Sequence, residues 1–223
     1  MREIVLDTET TGLDPDAGHR IVEVACLELM YHIPTGKHFR KYVNPEREVP
    51  NEAQAIHGLT AAFLSEHPVF AEVAGALLEF IGDSRLIIHN AQFDLKFVNA
   101  ELARLGLPPI DPARAVDTVA LARQRFPGAQ ASLDALCRRF EIDNTARRFH
   151  GALLDCELLA DVYLELRGGR QPGFDLDPAQ RGVPGAGGGE RPVRPARPHQ
   201  PSAVERAAHE ALLQRIKDPM WHR

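Results

Sequence analysis

Cysteine is scarce in this 223-residue chain, and its placement excludes two common uses. Cys26, Cys137 and Cys156 are odd in number, far apart and without CxxC spacing, so neither a disulfide framework nor a zinc site is implied and the three read as buried thiols. Long apolar runs are missing as well. VAGALLEFIG falls well short of the roughly 20 residues of a spanning helix, and no basic segment at the N-terminus leads into an apolar stretch, so a cytoplasmic protein is expected. There is no basic excess either. With 26 Lys and Arg against 31 Asp and Glu, the formal net charge is -5. Proteins that grip nucleic acid unaided usually carry a basic surface that displaces counterions, so a polyanionic substrate would need something else to help hold it.

What is present fits a soluble α/β domain with an extension. Hydrophobic content of 44% and charged content of 26% are ordinary for a globular protein, and the length suits one well-buried domain plus something extra. EIVLDTETT reads as a strand, and RIVEVACLELMYHIPTGKHFRKYVNP as two more joined by a turn at IPTGK. AEVAGALLEFIG has helical spacing, RLIIHN is a short strand, and AQFDLKFVNAELARLGLPP is a helix stopped by Gly106 and Pro108. ARAVDTVALARQRF, SLDALCRRFEI and GALLDCELLADVYLELRGG supply the remaining strand and helices. Strands first and then alternation with helices predicts a mixed sheet with helices on both faces.

Composition changes after residue 170. From Gln171 to Ser202 there are seven prolines and six glycines with few apolar side chains, too little burial to offset the entropy of ordering, so residues 171–202 read as a flexible linker. Beyond it, Ser202 and Glu205 form a capping-box signature, and Val204, Ala208, Ala211, Leu212 and Ile216 recur at helical spacing until Pro219. A tethered amphipathic helix over residues 203–223 calls for a partner or folds back on its own domain. Trp221, the only tryptophan, can anchor such a contact.

The chemistry concentrates in three acidic stretches. In DTET, alternation along a strand puts Val5, Asp7 and Glu9 on one face, two anions where an apolar face begins. This fragment alone is equally an edge strand with solvated acids. In GALLDCELLADVYLEL, Glu157, Asp161 and Glu165 form a solvated stripe, whereas Asp155 falls in line with Leu158, Leu159, Val162 and Leu166. A carboxylate in an apolar stripe is costly unless protonated, paired or ligating a metal. In HNAQFDLKF, Asn90 can cap a helix whose first turn holds Asp94, where the helix dipole favours an acid for structural reasons alone, yet the turn after a strand is also where α/β sites gather. Asp7, Glu9, Asp94 and Asp155 together make a hard, oxygen-rich set suited to magnesium or manganese. Two such ions about 4 Å apart stabilise both the attacking and leaving oxygens of a phosphodiester displacement. His150, shortly before Asp155, has the near-neutral pKa type that a general base needs.

DTETTG, HNAQFD and HGALLD, spaced over about 150 residues, resemble the three motifs of the DEDDh 3'-5' exonucleases, and the segment from Ser132 to Leu164 is similar to the proofreading epsilon subunits of bacterial DNA polymerase III. The resemblance covers residues 1 to 168. It implies a ribonuclease H-like fold with a five-stranded sheet, and residues 1–170 as the exonuclease domain. It also implies two divalent ions, Mg2+ or Mn2+, on Asp7, Glu9, Asp94 and Asp155, with His150 as base. It further implies that Thr8, Thr10, Gly12 and Leu13 cradle the terminal nucleotide, with His57 of AIHGLT and Asn90 near the strand. The implied partners are a frayed or single-stranded 3' end of DNA and the polymerase alpha subunit, bound through Val204, Ala208, Leu212, Ile216 and Trp221. The sliding clamp would be bound through QPGFDL, by Gln171, Phe174 and Leu176, which departs from the usual aromatic ending. A free-standing DEDDh nuclease that trims RNA or short oligonucleotides and a non-catalytic adaptor between polymerase and clamp are the alternative readings. The long tether counts against the first and the intact acids and histidine against the second.

Overall fold

The computed structural model describes residues 1–145, 149–169 and 200–216. The chain divides into two compact units, Met1–Phe174 and Asp175–Arg223. In the first, five strands, β1 (Arg2–Thr10), β2 (Ile21–Met30), β3 (Ile33–Tyr42), β4 (Arg85–Ile88) and β5 (Ala115–Asp117), form one sheet in the order β3-β2-β1-β4-β5. β1 runs antiparallel to β2, as β2 does to β3, but parallel to β4, and β4 is parallel to β5. Helices α1 (Asn51–His57), α2 (Ala61–Leu64), α3 (Phe70–Ile81), α4 (Ala91–Arg104), α5 (Thr118–Arg125), α6 (Leu133–Phe140) and α7 (Ala152–Leu166) complete the unit. Among the described residues, no helix is long and apolar enough to cross a membrane.

β1 is central and buried on both faces, which removes the edge-strand reading of DTET. Ile4 and Leu6 pack with Phe70, Leu77, Phe97 and Val98 of α3 and α4. Val5 packs on the other face with Ala152, Cys156 and Leu159 of α7 and Leu136 of α6. Helices therefore cover both faces, as the alternation of elements implies, and the burial of the aliphatic side chains supplies the main driving force. All three cysteines are buried.

The hairpin differs from expectation in one respect. The turn between β2 and β3 falls at Tyr31 and His32, with φ of 54° and 69°, and not at IPTGK. Two successive left-handed residues make the tight connection whose twist suits an antiparallel pair. His32 is held there by Glu3, whose Oε2 lies 2.6 Å from its Nδ1, while Tyr163 Oη donates to Glu3 Oε1 at 2.9 Å. Gly36, with φ of 85°, lies within β3 where the register with β2 slips between Leu27 and Leu29. Residues 51–57 and 61–64 also form short helices that periodicity did not signal, being too brief for an apolar stripe.

Two contacts position the loop 11–20 and the start of α7. Thr11 N–H donates to the Arg20 carbonyl at 2.9 Å, and the Arg20 guanidinium grips Glu101 of α4 through two bonds of 2.6 and 2.9 Å. Glu101 is buried. α7 begins after Gly151 without a side-chain cap on its own segment. Instead Glu23 Oε2, on β2, accepts from Ala152 N–H at 3.3 Å while its Oε1 is bound by Arg40 at 2.7 Å. An unpaired helix N–H is thereby satisfied across 129 residues of sequence.

In the second unit, α8 (Ala203–Leu213) has the capping box formed by Ser202 and Glu205. Val204, Leu212 and Ile216 are exposed. Gln171, Phe174, Leu176 and Trp221, like most of the expected linker, lie outside the described residues.

Glu101→Ala leaves the Arg20 guanidinium largely buried with its main partner gone. It is expected to destabilise the fold by about 3 kcal/mol in chemical denaturation; a loss no larger than that of an exposed ion pair would show that the pair does not fix the loop.

Candidate active site

The site forms at the C-terminal ends of the parallel strands, where the sheet changes from antiparallel to parallel pairing. Asp7 and Glu9 extend from the face of β1 that Val5 shares with α7. Asp155 is buried in the first turn of α7, and His150, half-exposed, comes just before it. Glu9, His150 and Asp155 each offer a ligand atom, all within 4.8 Å of one another. His150 Nδ1 lies 3.8 Å from Asp155 Oδ2.

Asp94 approaches from the opposite face through Thr8. Its Oδ1 accepts from Thr8 N–H at 2.9 Å and from Thr8 Oγ1 at 2.7 Å. Burial pushes the Asp94 carboxyl up to about 7 in spite of these bonds. The fully buried Cys156 thiol, just behind the acids, is raised well above its ordinary value, first by burial and then by the charges of Asp7, Asp94 and Asp155 among others. Cys156 Sγ lies 3.5 Å from the carbonyl of Ala25, the residue paired with Asp7 across the sheet. Asp7 therefore stands beside this group, though outside the tightest triplet. Oxygen donors with one imidazole, and a buried acid whose hydrogen bonds do not offset its desolvation, fit a hard divalent cation better than zinc held by thiolates.

Next to the acids is a cavity of about 500 Å³, with Thr8, Thr10, Gly12, Leu13, His57 and Phe93 among its lining residues. Five of the six residues expected to hold a nucleotide are thus gathered there. Phe93, Ile56 and Ala53 of its apolar wall carry no signal in the sequence, Phe93 because it lies in an ordinary helical pattern and the other two because α1 is too short to show an apolar stripe. Leu13 is 84% exposed, while His57 is buried. His57 Nδ1 accepts from Leu59 N–H at 3.0 Å, which assigns the ring proton to Nε2. Nε2 makes no well-formed hydrogen bond among the described residues, although the Thr10 carbonyl favours the charged ring; burial prevails and holds the His57 pKa below its ordinary value.

Asn90 departs from expectation. It occupies the N-cap position of α4 but with left-handed backbone, φ 68°, and its side chain makes no capping bond. It lines a separate cavity with His89, Asp117 and Arg123. An αL backbone directs the side chain away from the N2 and N3 amides, which an extended N-cap would reach.

The raised Asp94 carboxyl has a measurable consequence. Between about pH 4 and about pH 7 the folded state holds this proton and the unfolded state does not, so metal-free stability falls as pH rises through that window. A cation that offsets the charge removes the penalty. Thermal melts in chelator and in manganese should show a metal-induced stabilisation larger at about pH 8 than at about pH 5.5. Asp94→Asn should remove this group's share of the pH dependence in chelator, and an unchanged profile would contradict the assignment.

Comparison with known proteins agrees with this geometry. A family model described as Exonuclease matches residues 4–163. The chain is 53% identical over 179 residues to the DNA polymerase III subunit epsilon of Rickettsia prowazekii, covering 79% of this chain and 78% of that one. It is 40% identical over 227 residues to the DNA polymerase III subunit epsilon of Escherichia coli, covering 97% and 93%. Among solved structures, Exonuclease X in complex with 5' overhanging duplex DNA is 28% identical with a TM-score of 0.59, over 74% of this chain and 90% of that one. The nuclease domain of 3'hExo, a DEDDh family member bound to rAMP, shares the fold at 19% identity and a TM-score of 0.65, with the same coverages. A central acidic strand, a histidine one turn ahead of a buried aspartate and this degree of relatedness have one reading: the chain belongs to the metal-dependent DEDDh 3'-5' exonucleases, in the family of the DNA polymerase III epsilon subunits.

Proposed function

We propose that this chain is the proofreading exonuclease of a replicative DNA polymerase, removing mispaired 3'-terminal nucleotides as nucleoside 5'-monophosphates. The observation that carries the reading is the meeting of Glu9, His150 and Asp155 within 4.8 Å, beside a cavity large enough for a nucleotide. The terminal nucleotide enters that cavity against Thr8, Thr10, Gly12, Leu13 and His57, which leaves its 5' phosphate over the acids. His150 takes the proton of the attacking water on its imidazole; half-exposed, it can pass that proton to solvent. Thr8 holds Asp94 in place from both its amide and its hydroxyl. Bound to Asp7, Glu9, Asp94 and Asp155, two magnesium or manganese ions would supply the positive charge that offsets these carboxylates and stabilises charge developing on the phosphodiester. A mispaired end frays at little cost, so a cavity that admits only an unpaired nucleotide selects errors without reading base identity.

The acidic net charge fits a division of labour in which partners hold the DNA and the nuclease acts at high effective concentration. In this reading residues 1–170 are the nuclease, 171–202 a linker, and 203–223 a tail that docks on the polymerase alpha subunit through Val204, Ala208, Leu212, Ile216 and Trp221. Gln171, Phe174 and Leu176 engage the sliding clamp, and the whole works in the cytoplasm at the replisome. Alignment of the Escherichia coli epsilon subunit over 97% of the chain supports this over a free-standing RNA-trimming enzyme.

With magnesium, the purified protein should shorten single-stranded and 3'-mismatched DNA faster than paired ends, and chelator should stop it. Asp7→Ala and His150→Ala should each lower the rate by at least about a hundredfold. Metal-independent digestion, or unaltered rates in both variants, would refute the mechanism. Deleting residues 203–223 should abolish co-elution with the polymerase subunit in gel filtration, and Gln171→Ala with Phe174→Ala should weaken capture by the clamp. Undiminished binding in either case would remove that contact.

A further inference from the structure

Helix α1 ends beside the histidine, and its last residues carry contacts that the nucleotide cavity does not explain. The final carbonyls of an α-helix have no partner further along it and must find one elsewhere. The Gln54 carbonyl accepts from Gly58 N–H at 2.8 Å, in the left-handed turn that Gly58 makes with φ of 74°. The Ile56 carbonyl is taken by His150 N–H at 3.0 Å, from a segment far along the chain. Next to that bond the ring of Phe149 lies across Gly58. A Cβ at Gly58 would stand 3.2 Å from Phe149 Cγ and 3.4 Å from both Cδ atoms, inside ordinary carbon contact distance. The ring is thus met face on, and glycine suits this position both for its left-handed backbone and for the seat that it leaves.

Neither contact is core packing. Phe149 is 57% exposed, is not part of any buried cluster and lies outside the lining of the nucleotide cavity. A buried phenylalanine stabilises a fold through the area it removes from water, and one left more than half in solvent contributes little of that kind. What the ring does hold is the segment next to it. On the other side, the Gly151 carbonyl accepts from Asp155 N–H at 2.9 Å where α7 starts. Residues 149–151 are therefore fastened to α1 at one end and to α7 at the other. Between them His150, half-exposed, sets its Nδ1 3.8 Å from Asp155 Oδ2. A half-exposed imidazole is not fixed by packing on every side, so its place at the acids depends on the backbone that carries it.

We infer that Phe149 is a positioning residue, which by seating on Gly58 clamps the His150 backbone to the Ile56 carbonyl and so holds the imidazole at Asp155. This rests on the exonuclease reading above and adds to it the device that keeps the base in place. A base must stay within hydrogen-bond reach of the water that it deprotonates, and a misplacement of about 1 Å can cost about a hundredfold in rate. Loss of the ring removes one of two fastenings to α1 and leaves the Ile56 bond, so the expected cost is smaller.

Single-turnover rates on a short single-stranded oligonucleotide in magnesium separate the chemical step from binding. Phe149→Ala should slow that step about tenfold. Its KM should stay within about twofold of the wild-type value, because the ring lies outside the cavity. Its melting temperature should fall by no more than about 3 °C. The deciding arm is the His150→Ala background, where the ring has no imidazole to position and adding Phe149→Ala should cost no more than about twofold. Phe149→Leu, which keeps an apolar side chain for Gly58, should recover most of the rate. An equal loss with and without His150, a KM that rises while the single-turnover rate holds, or a Phe149→Ala enzyme as fast as wild type would each overturn the inference. A melting temperature lowered by more than about 10 °C would make the ring part of the fold and overturn it as well. Wild-type protein that degrades no oligonucleotide in magnesium would instead remove the exonuclease reading beneath it.

Discussion

A buried strand that ends in acids sets the terms for the rest of this molecule. β1 is flanked on both edges by other strands and on both faces by helices, so Asp7 and Glu9 cannot be solvated as they would be on an edge strand. Asp155 joins them from α7 and Asp94 from α4, both buried. Burial out of water disfavours a bare carboxylate, and it is burial that pushes the Asp94 carboxyl up. Such a site is stable only because the surrounding core contributes far more than the site costs, and it is relieved when cations enter.

The scaffold positions Asp94 and the helix turn that carries Asp155 through groups drawn from elsewhere in the chain. Thr8 fixes Asp94 from the other face of the same strand that carries Asp7 and Glu9. Glu23, directly opposite Glu9 in the β1 and β2 pairing, is bound by Arg40 and turned to cap α7, which sets the first turn that presents Asp155. On the near side, His150 N–H donates to the Ile56 carbonyl at 3.0 Å, so the histidine is tied to the helix that walls the nucleotide cavity. His150 and the cavity therefore share one support in Ile56.

Charge is distributed in keeping with this design. The basic side chains nearest the loops, Arg20 and Lys96, are engaged with Glu101, Asp14 and Asp16, and serve to pin the loop 11–20 to α4.

The three acidic motifs, the histidine, the alternation of strands and helices, and the capped tail helix were all legible in the amino-acid order, because each depends on local spacing or on a residue out of keeping with its stripe. Asp155 among Leu158, Leu159 and Val162 is the clearest case. What tertiary structure alone decided was long-range. The central place of β1, the turn at Tyr31 and His32, the capping of α7 by Glu23, the apolar wall of Phe93, Ile56 and Ala53, and the transfer of Asn90 to a second cavity all depend on which distant segments meet. Those meetings are governed by packing and by the satisfaction of buried polar groups across the whole fold, and no local window of sequence contains them.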